Sequence, residues 1–396
     1  MGADDNSGLL REYDGEKMGI LGLRHRPSGV NARFAGKGWP FADYVSQTQA
    51  MLRQLHEGKN EAERIVTGNS PFELHPAGDY RQGRDKPCRR GVLLTHGLTD
   101  SPYHMRHLAA FFQRNGFRVM AVLLPGHGTQ PGDLLEMHRR EWAAAVAYGA
   151  DCLAAEADEI YLAGFSAGAA LSVLQAVQDL RVRGLFLFSP AFEITPLARW
   201  ANLHKLYSWL MPAAAWVSVM QDKDLYKYES FCKNAAAQMH ALTQALPQCD
   251  MDIPVFAAAS ADDATVMPAA TLRFMQRARH PCSRLVWYST EKIERRNVEW
   301  VDSAIPERRI LSSAHTAIVM PPDDPHYGAA GDYANCLHYC EKDGERYRAC
   351  MTQPQDAWLG EVDPQYLGRG LLRRLMYNPH YAAMEASMQR FIEELP

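Results

Sequence analysis

Ile160-Tyr161-Leu162-Ala163-Gly164-Phe165-Ser166-Ala167-Gly168-Ala169-Ala170-Leu171 is the stretch from which the fold is read. Ile160 to Ala163 is a short apolar run of the kind expected of a buried strand, and Ala167 to Leu180 carries a helical pattern. Between them stands the pentapeptide G-x-S-x-G, Gly164 to Gly168. On its own that string is equally a tight Gly-Ser turn without chemistry, and the strand before it and helix after it give it weight. In a strand-to-helix elbow the serine takes a strained backbone conformation, and the flanking glycines remove side chains that would collide. The hydroxyl is then presented at a helix N-terminus, where the dipole favours developing negative charge.

The same rhythm continues on both sides. Val92 to Thr95 reads as a strand ending at His96-Gly97, and Tyr103 to Asn115 as a helix stopped at Gly116. Val119 to Leu124 is a second strand, closed by Pro125-Gly126-His127-Gly128. Glu141 to Ala157 is an Ala-rich helix, and Leu185 to Ser189 a further strand. Strands alternating with helices predict an α/β fold: a mostly parallel sheet flanked by helices. The alternation then lapses. Residues 191–247 hold helical patterns and no convincing strand, with Trp200, Leu203, Leu206, Tyr207, Trp209, Leu210 and Met211 crowding the first half. Val255 to Ala259 and Leu285 to Tyr288 resume the strands, and the tail from Tyr366 to Leu395 reads as helical, broken near Pro379. This organises the chain as an N-terminal arm and helix (residues 1–60, the helix over Asp43 to His56), a core (61–190 and 251–396) and a helical insertion (191–250).

Composition narrows the function classes. The 396 residues are 47% apolar and 22% charged, ordinary for a globular protein, and the net charge of -4 offers no basic excess for nucleic acid. The doublets Arg89-Arg90 and Arg373-Arg374 read as solvated surface. No apolar run approaches the roughly 18 to 20 residues that span a bilayer. Met1 to Arg26 lacks a charged-then-apolar leader pattern, so a cytoplasmic location is expected. With no export signal the eight scattered cysteines are expected to be free thiols. Cys336, His338, Cys340 and Cys350 lack the paired C-x2-C spacing of structural zinc sites, so neither metal nor cofactor is expected.

A serine hydroxyl is a poor nucleophile near neutral pH and needs a base, which in turn needs an orienting acid. In this architecture the chain order is Ser, then Asp or Glu, then His. After the strand Val255 to Ala259 the loop Ser260-Ala261-Asp262-Asp263-Ala264-Thr265-Val266 offers two aspartates. Asp263 is preferred from the D-x-x-V pattern with Pro268 five residues on, and Asp262 is the fallback. The base candidate is His315, in the small-residue loop Leu311 to Thr316, with His326 and His338 as later rivals. The expected oxyanion donors are the backbone N–H groups of Ala167, after the nucleophile, and Leu98, in the loop after the first clear strand. His96 and Gly97 are read as shaping that loop.

Leu94-Thr95-His96-Gly97-Leu98-Thr99, Leu124 to Gly128, Gly164 to Gly168 and the Asp263 and His315 loops together resemble the α/β-hydrolase superfamily. More narrowly, the chain is similar to the branch of monoacylglycerol lipases and bacterial carboxylesterases with a serine aminopeptidase-like domain, from about Gly91 to His315. The resemblance implies hydrolysis of carboxylic esters through an acyl-serine, with Ser166 attacking, His315 moving the proton and Asp263 holding its tautomer. It implies a lid in the insertion, a small-molecule acyl ester or lipid as substrate, and transient lipid-surface contact through the lid. The chain departs from the pattern at Leu98, where Phe is common, and at Ala259 and Ser260, where Gly often precedes the acid loop. The N-terminal extension and Pro321 to Gly370 exceed a minimal member. Amide, peptide or thioester hydrolysis on the same residues, a ligand-binding homologue without turnover, and a docking role for the C-terminal elaboration are the other readings.

Overall fold

Parallel strands buried on both faces read as continuous apolar runs, and the central strands here do so. In the computed structural model, which describes residues 20–77, 85–195, 201, 208, 211–340 and 342–396, the chain runs in this order. First come α1 (Phe41–His56), α2 (Ala62–Asn69), β1 (Phe72–Leu74), β2 (Cys88–Thr95), α3 (Arg106–Arg114) and β3 (Phe117–Val122). Then follow α4 (Arg139–Glu156), β4 (Ala157–Phe165), α5 (Ala167–Gln178) and β5 (Val182–Phe188). The insertion holds β6 (Trp216–Ser218), β7 (Phe231–Cys232) and α6 (Lys233–Gln244). After it come β8 (Val255–Ser260), α7 (Pro268–Arg277), β9 (Arg284–Ser289) and β10 (Val298–Asp302). The C-terminal part adds α8 (Leu337–Cys340), α9 (Gly344–Thr352), β11 (Trp358–Gly360), α10 (Pro364–Leu367), β12 (Leu372–Arg374) and α11 (Tyr381–Glu393).

Eight strands form one sheet in the order β1-β3-β2-β4-β5-β8-β9-β10, parallel throughout except for the antiparallel edge strand β1. The period of two sends neighbouring side chains to opposite cores. Leu93 joins Trp142 and Leu153 of α4 on one face, while Val92 and Leu94 join Phe112 of α3 and Phe391 of α11 on the other. Each such side chain taken from water contributes roughly 1.5–3 kcal/mol. Phe41 and Tyr44 of α1 enter the first core beside Tyr148. Near the β1 edge, buried Arg118 is held by Glu73 and by Glu156 at 2.6 Å. A cation that deep must be paired.

Several expectations from sequence are corrected. β2 starts at Cys88, not Val92, because Arg90 lies opposite Glu159 of β4 and donates to it at 3.0 Å, so charged residues continue the ladder. The segment from Tyr103 starts as a 3-10 turn (Pro102–Met105) before α3. The insertion contains the antiparallel ribbon β6–β7, whose strands are too short for any periodicity to show. The tail contains β12, paired in parallel with β11, as well as helix. Trp200, Leu203, Leu206, Tyr207, Trp209 and Leu210 lie outside the described residues. Cys336 and Cys350, both fully buried, form a disulfide, which overturns the free-thiol expectation for that pair. Among the described residues no helix is long and apolar enough to cross a membrane.

Candidate active site

Ser166 caps the end of β4 and opens α5 with φ 54° and ψ -114°, a left-handed conformation that costs a non-glycine residue energy. The turn is pinned on every side. The Ser166 N–H donates to Phe188 O at 2.9 Å, and Ser166 O accepts from Ala169 and Ala191 at 3.1 Å each. Gly168 has to be glycine for close approach: a Cβ there would stand 2.0 Å from the Thr95 carbonyl oxygen. That contact brings the end of β2, and the loop beyond it, against the elbow.

Asp263 and His315 arrive from the far side. One Asp263 oxygen accepts from the backbone of its own loop, Thr265 N–H at 2.8 Å and Val266 N–H at 3.1 Å. The other accepts from His315 Nδ1 at 2.6 Å, and Ser166 Oγ donates to His315 Nε2 at 2.9 Å. These partners set the imidazole tautomer, with the proton on Nδ1. All three residues are buried, and Ser189 Oγ holds the His315 carbonyl at 3.1 Å. Burial pushes the Asp263 carboxyl up, but the adjacent imidazole and the hydrogen bonds it accepts outweigh that and hold it below the ordinary carboxylate range.

The neighbouring aspartate behaves oppositely. Asp262 turns to Ser303 Oγ at 2.6 Å and Ser313 N–H at 3.2 Å, and burial raises its pKa. Its part is to tie the two loops together. His326 is also elsewhere, bonded to Asp224 and Asp332. Of the candidates read from sequence, the structure therefore brings together Ser166, Asp263 and His315 and leaves Asp262, His326 and His338 outside that chain of hydrogen bonds.

The N–H groups of Leu98 and Ala167 donate to no partner among the described residues. His96 shapes the loop between them: its Nε2 accepts from Leu124 N–H at 3.0 Å and its Nδ1 donates to the Gly97 carbonyl at 2.8 Å. Beneath it, buried Asp100 pairs with Lys227 and faces His104 at 3.8 Å. Burial alone would raise the Asp100 pKa, but the Lys227 ammonium, with the His104 ring beside it, brings it down to about 2.

Ser166 and His315 open into a cavity of about 340 Å³. Its lining is partly apolar, with Leu98, Ala191, Ile194, Phe231, Met239 and Val266, and partly polar, with Lys227, Glu229, Tyr333, Asn335 and Arg374. Desolvation pushes the Glu229 carboxyl up to about 7, although Tyr333 Oη and Lys223 N–H both donate to it. Sequence reading missed this polar part. Arg374 had been expected on the surface, yet it pairs with buried Glu361. The signal lay in its neighbours: Leu371-Leu372 and Leu375-Met376 enclose the Arg373-Arg374 doublet. Among the described residues no group of three His, Cys, Asp or Glu side chains is placed to hold a metal ion.

A thermostable monoacylglycerol lipase of Bacillus sp. (strain H-257) is 32% identical over 108 residues, 27% of this chain and 43% of that protein. The matched region is thus less than half the length of that relative. Among solved structures, one reported with the metagenome-derived lipolytic enzymes LipS and LipT is 23% identical, covering 60% of this chain and 88% of its own, with a TM-score of 0.44. A monoacylglycerol lipase of Paleococcus ferrophilus is 16% identical, covering 55% and 88%, with a TM-score of 0.42. The model of the family described as serine aminopeptidase, S33, matches residues 86–291, just over half of the chain. On that match, this protein is a member of the serine aminopeptidase S33 family of α/β-hydrolases.

Proposed function

We propose that this protein is a serine hydrolase that cleaves carboxylic esters, of carboxylesterase or monoacylglycerol lipase type. The observation that carries the reading is the unbroken hydrogen-bond chain Asp263–His315–Ser166, at 2.6 and 2.9 Å, opening into a cavity lined in part by apolar side chains.

Ser166 Oγ attacks the substrate carbonyl carbon as its proton passes to His315 Nε2. Asp263 stabilises the imidazolium that forms. The carbonyl oxygen becomes an oxyanion beside the Leu98 and Ala167 N–H groups, a pair of donors that needs no reorganisation at the moment of reaction. The C–O bond to the alcohol breaks, the alcohol takes the proton from His315, and an acyl-serine remains. Water then repeats the sequence: His315 removes its proton, hydroxide adds to the acyl carbon, and the acid departs as Ser166 regains its hydrogen. We place the acyl chain against Ile194, Phe231 and Met239. Those residues belong to the insertion, which supports a lid role for 191–250 and a small-molecule acyl ester or lipid as substrate.

The test is labelling with a fluorophosphonate probe followed by peptide mapping. Modification on Ser166 is expected, with Ser166→Ala unlabelled and its kcat on p-nitrophenyl esters down by on the order of 10^5 to 10^6. Ester hydrolysis at the wild-type rate in Ser166→Ala would remove this mechanism. The family description favours a second reading, cleavage of amides. Comparing p-nitrophenyl esters with aminoacyl amides separates the two, and a preference for the amides would replace the first.

A further inference from the structure

The C-terminal elaboration reaches the two loops that carry Asp263 and His315. The edge of its two-stranded sheet lies along the His315 loop. Leu311 N–H donates to Leu359 O at 2.8 Å, and Glu361 N–H donates to Ser312 Oγ at 2.9 Å. The approach is close enough that a Cβ on Gly360 would meet Ser312 Oγ at 2.8 Å. One residue on, the Glu361 side chain is almost wholly buried, 1% exposed, and its Oε2 accepts from the backbone N–H of His315 at 3.1 Å. A carboxylate at that depth requires a cation. Arg374 supplies it: Nη2 donates to Glu361 Oε2 at 3.1 Å, and Nε stands 3.0 Å from Oε1 without hydrogen-bond alignment. The same Nη2 donates to Thr265 Oγ1 at 2.8 Å, two residues beyond Asp263. Val362 N–H occupies Oε1 at 2.8 Å. One ion pair thus holds the main chain of the base and the loop of the acid together, from residues beyond the 86–291 family match.

We propose that Glu361 and Arg374 are positioning residues for the reaction, fixing His315 against Asp263 and Ser166. The proposal rests on the hydrolase reading above. Neither residue need touch substrate to act. A displacement of about 1 Å in a reacting group can cost on the order of 100-fold in rate, and these two contacts, with the Ser189 bond to the His315 carbonyl, hold the His315 backbone and the Thr265 side chain in register.

The charges facing His315 are Asp263 on the acid loop, Glu361 and Arg374 from the elaboration, and Asp262 behind Ser313. Lys227 with Asp100, and Glu229, line the same cavity. Removing one member of the Glu361–Arg374 pair leaves the other charge bare while all the rest remain. The two single variants therefore act on the imidazolium in opposite directions. A bare carboxylate favours the protonated base, and a bare guanidinium disfavours it.

The experiment compares Glu361→Ala, Glu361→Gln, Arg374→Met and the double Glu361→Gln/Arg374→Met on a p-nitrophenyl ester. Rates are expressed per active site titrated with fluorophosphonate, so unfolded protein is not counted. Glu361→Ala is expected to lower kcat about 10- to 100-fold with KM within about threefold. Glu361→Gln, whose amide oxygen can still accept from His315 N–H, is expected to recover part of that loss. The acid limb of the kcat/KM profile is expected at lower pH in Glu361→Gln, at higher pH in Arg374→Met, and near the wild-type position in the double variant. Unchanged kcat per titrated site with an unmoved acid limb would overturn the proposal and leave the pair as scaffold. A rise in KM alone would overturn it in favour of substrate contact by Arg374. A wild-type protein that hydrolyses no ester would sink the hydrolase reading. Turnover that dies in Ser166→Ala but stays at the wild-type rate per titrated site in the pair variants, with an unmoved acid limb, would sink this inference alone.

Discussion

Ser166 sits between a strand of nine residues and a helix of twelve that follow one another in the chain. Asp263 and His315 lie 52 positions apart, Asp263 in an irregular loop and His315 at the start of a 3-10 turn (His315–Val319), and each is tied to segments farther away. The nucleophile is thus positioned by local geometry: a positive φ, a glycine where two backbones nearly touch, and a hydrogen bond to the adjacent strand. The acid–base pair is positioned by side chains reaching across: Asp262 to Ser303 and Ser313, Glu361 to His315, Arg374 to Thr265. A site built half locally and half at long range should fail differently when each half is damaged.

The sharpest way to break the long-range half is Asp263→Asn. The amide cannot hold the imidazole tautomer, so kcat on a p-nitrophenyl ester is expected to fall about 10^4-fold. Asp262→Asn, one residue away but bonded only to the loop scaffold, is expected to cost no more than about 100-fold, because a displacement of about 1 Å and not the imidazole's own partner is at stake. If the larger loss fell on Asp262, the two aspartates would have to exchange roles. Next in size is the disulfide. It closes a short loop beside Asn335 and Leu337 of the cavity wall, and its double replacement Cys336→Ser/Cys350→Ser is expected to cost about 3 kcal/mol in urea unfolding. Wild-type protein under reducing conditions provides the matching control.

The local half is probed by Gly168→Ala. Its methyl group would press on the Thr95 carbonyl, so overpacking is expected to cost about 1–3 kcal/mol, read as a lower urea midpoint at an unchanged m-value. A pH-dependent effect belongs to Glu229. Its carboxyl is raised by burial from an ordinary 4.5 to about 7 in the folded state. The unfolded chain therefore releases that proton first, and Glu229 subtracts stability progressively as pH rises from about 4.5 to about 7. Glu229→Gln is expected to be stabilised relative to wild type at pH 8, with the difference shrinking toward pH 4. A difference independent of pH would show that the carboxyl does not titrate in that window.

Asp100 gives the opposite sign beneath the oxyanion loop. Held at about 2 by Lys227 and His104, it adds stability that is present above about 3.8 and lost as pH falls toward 2. Both groups line the cavity, so pH acts on the walls of the site.

How much of this was legible beforehand follows the same division. β4, the elbow and α5 could be read because burial on both faces makes the strand a continuous apolar run and the turn constrains its glycines. Asp263 and His315 could be read only as loop residues in the right order. Neighbouring Asp262 and the later His326 have similar local surroundings in the chain. The ribbon β6–β7 and the edge strands β1 and β10 are too short or too mixed in character to carry a period. The Arg373-Arg374 doublet looked like surface because its partner, Glu361, lies 13 residues back and in another strand's continuation. Cysteine pairing depends on which Cα atoms fold to within reach, 6.1 Å for Cys336 and Cys350, and spacing along the chain does not encode it.

The amino-acid sequence by itself determined the alternating strands and helices, the serine on its elbow and the order in which its partners must come. These depend on residues within a few positions of one another, where apolar periodicity and glycine sterics act directly. Only the tertiary structure decided which aspartate meets the imidazole, which cysteines join, and that Glu361 with Arg374 braces the base. Those outcomes hinge on pairing charges and polar groups taken out of water, and such groups find partners by proximity in space, which no local pattern records.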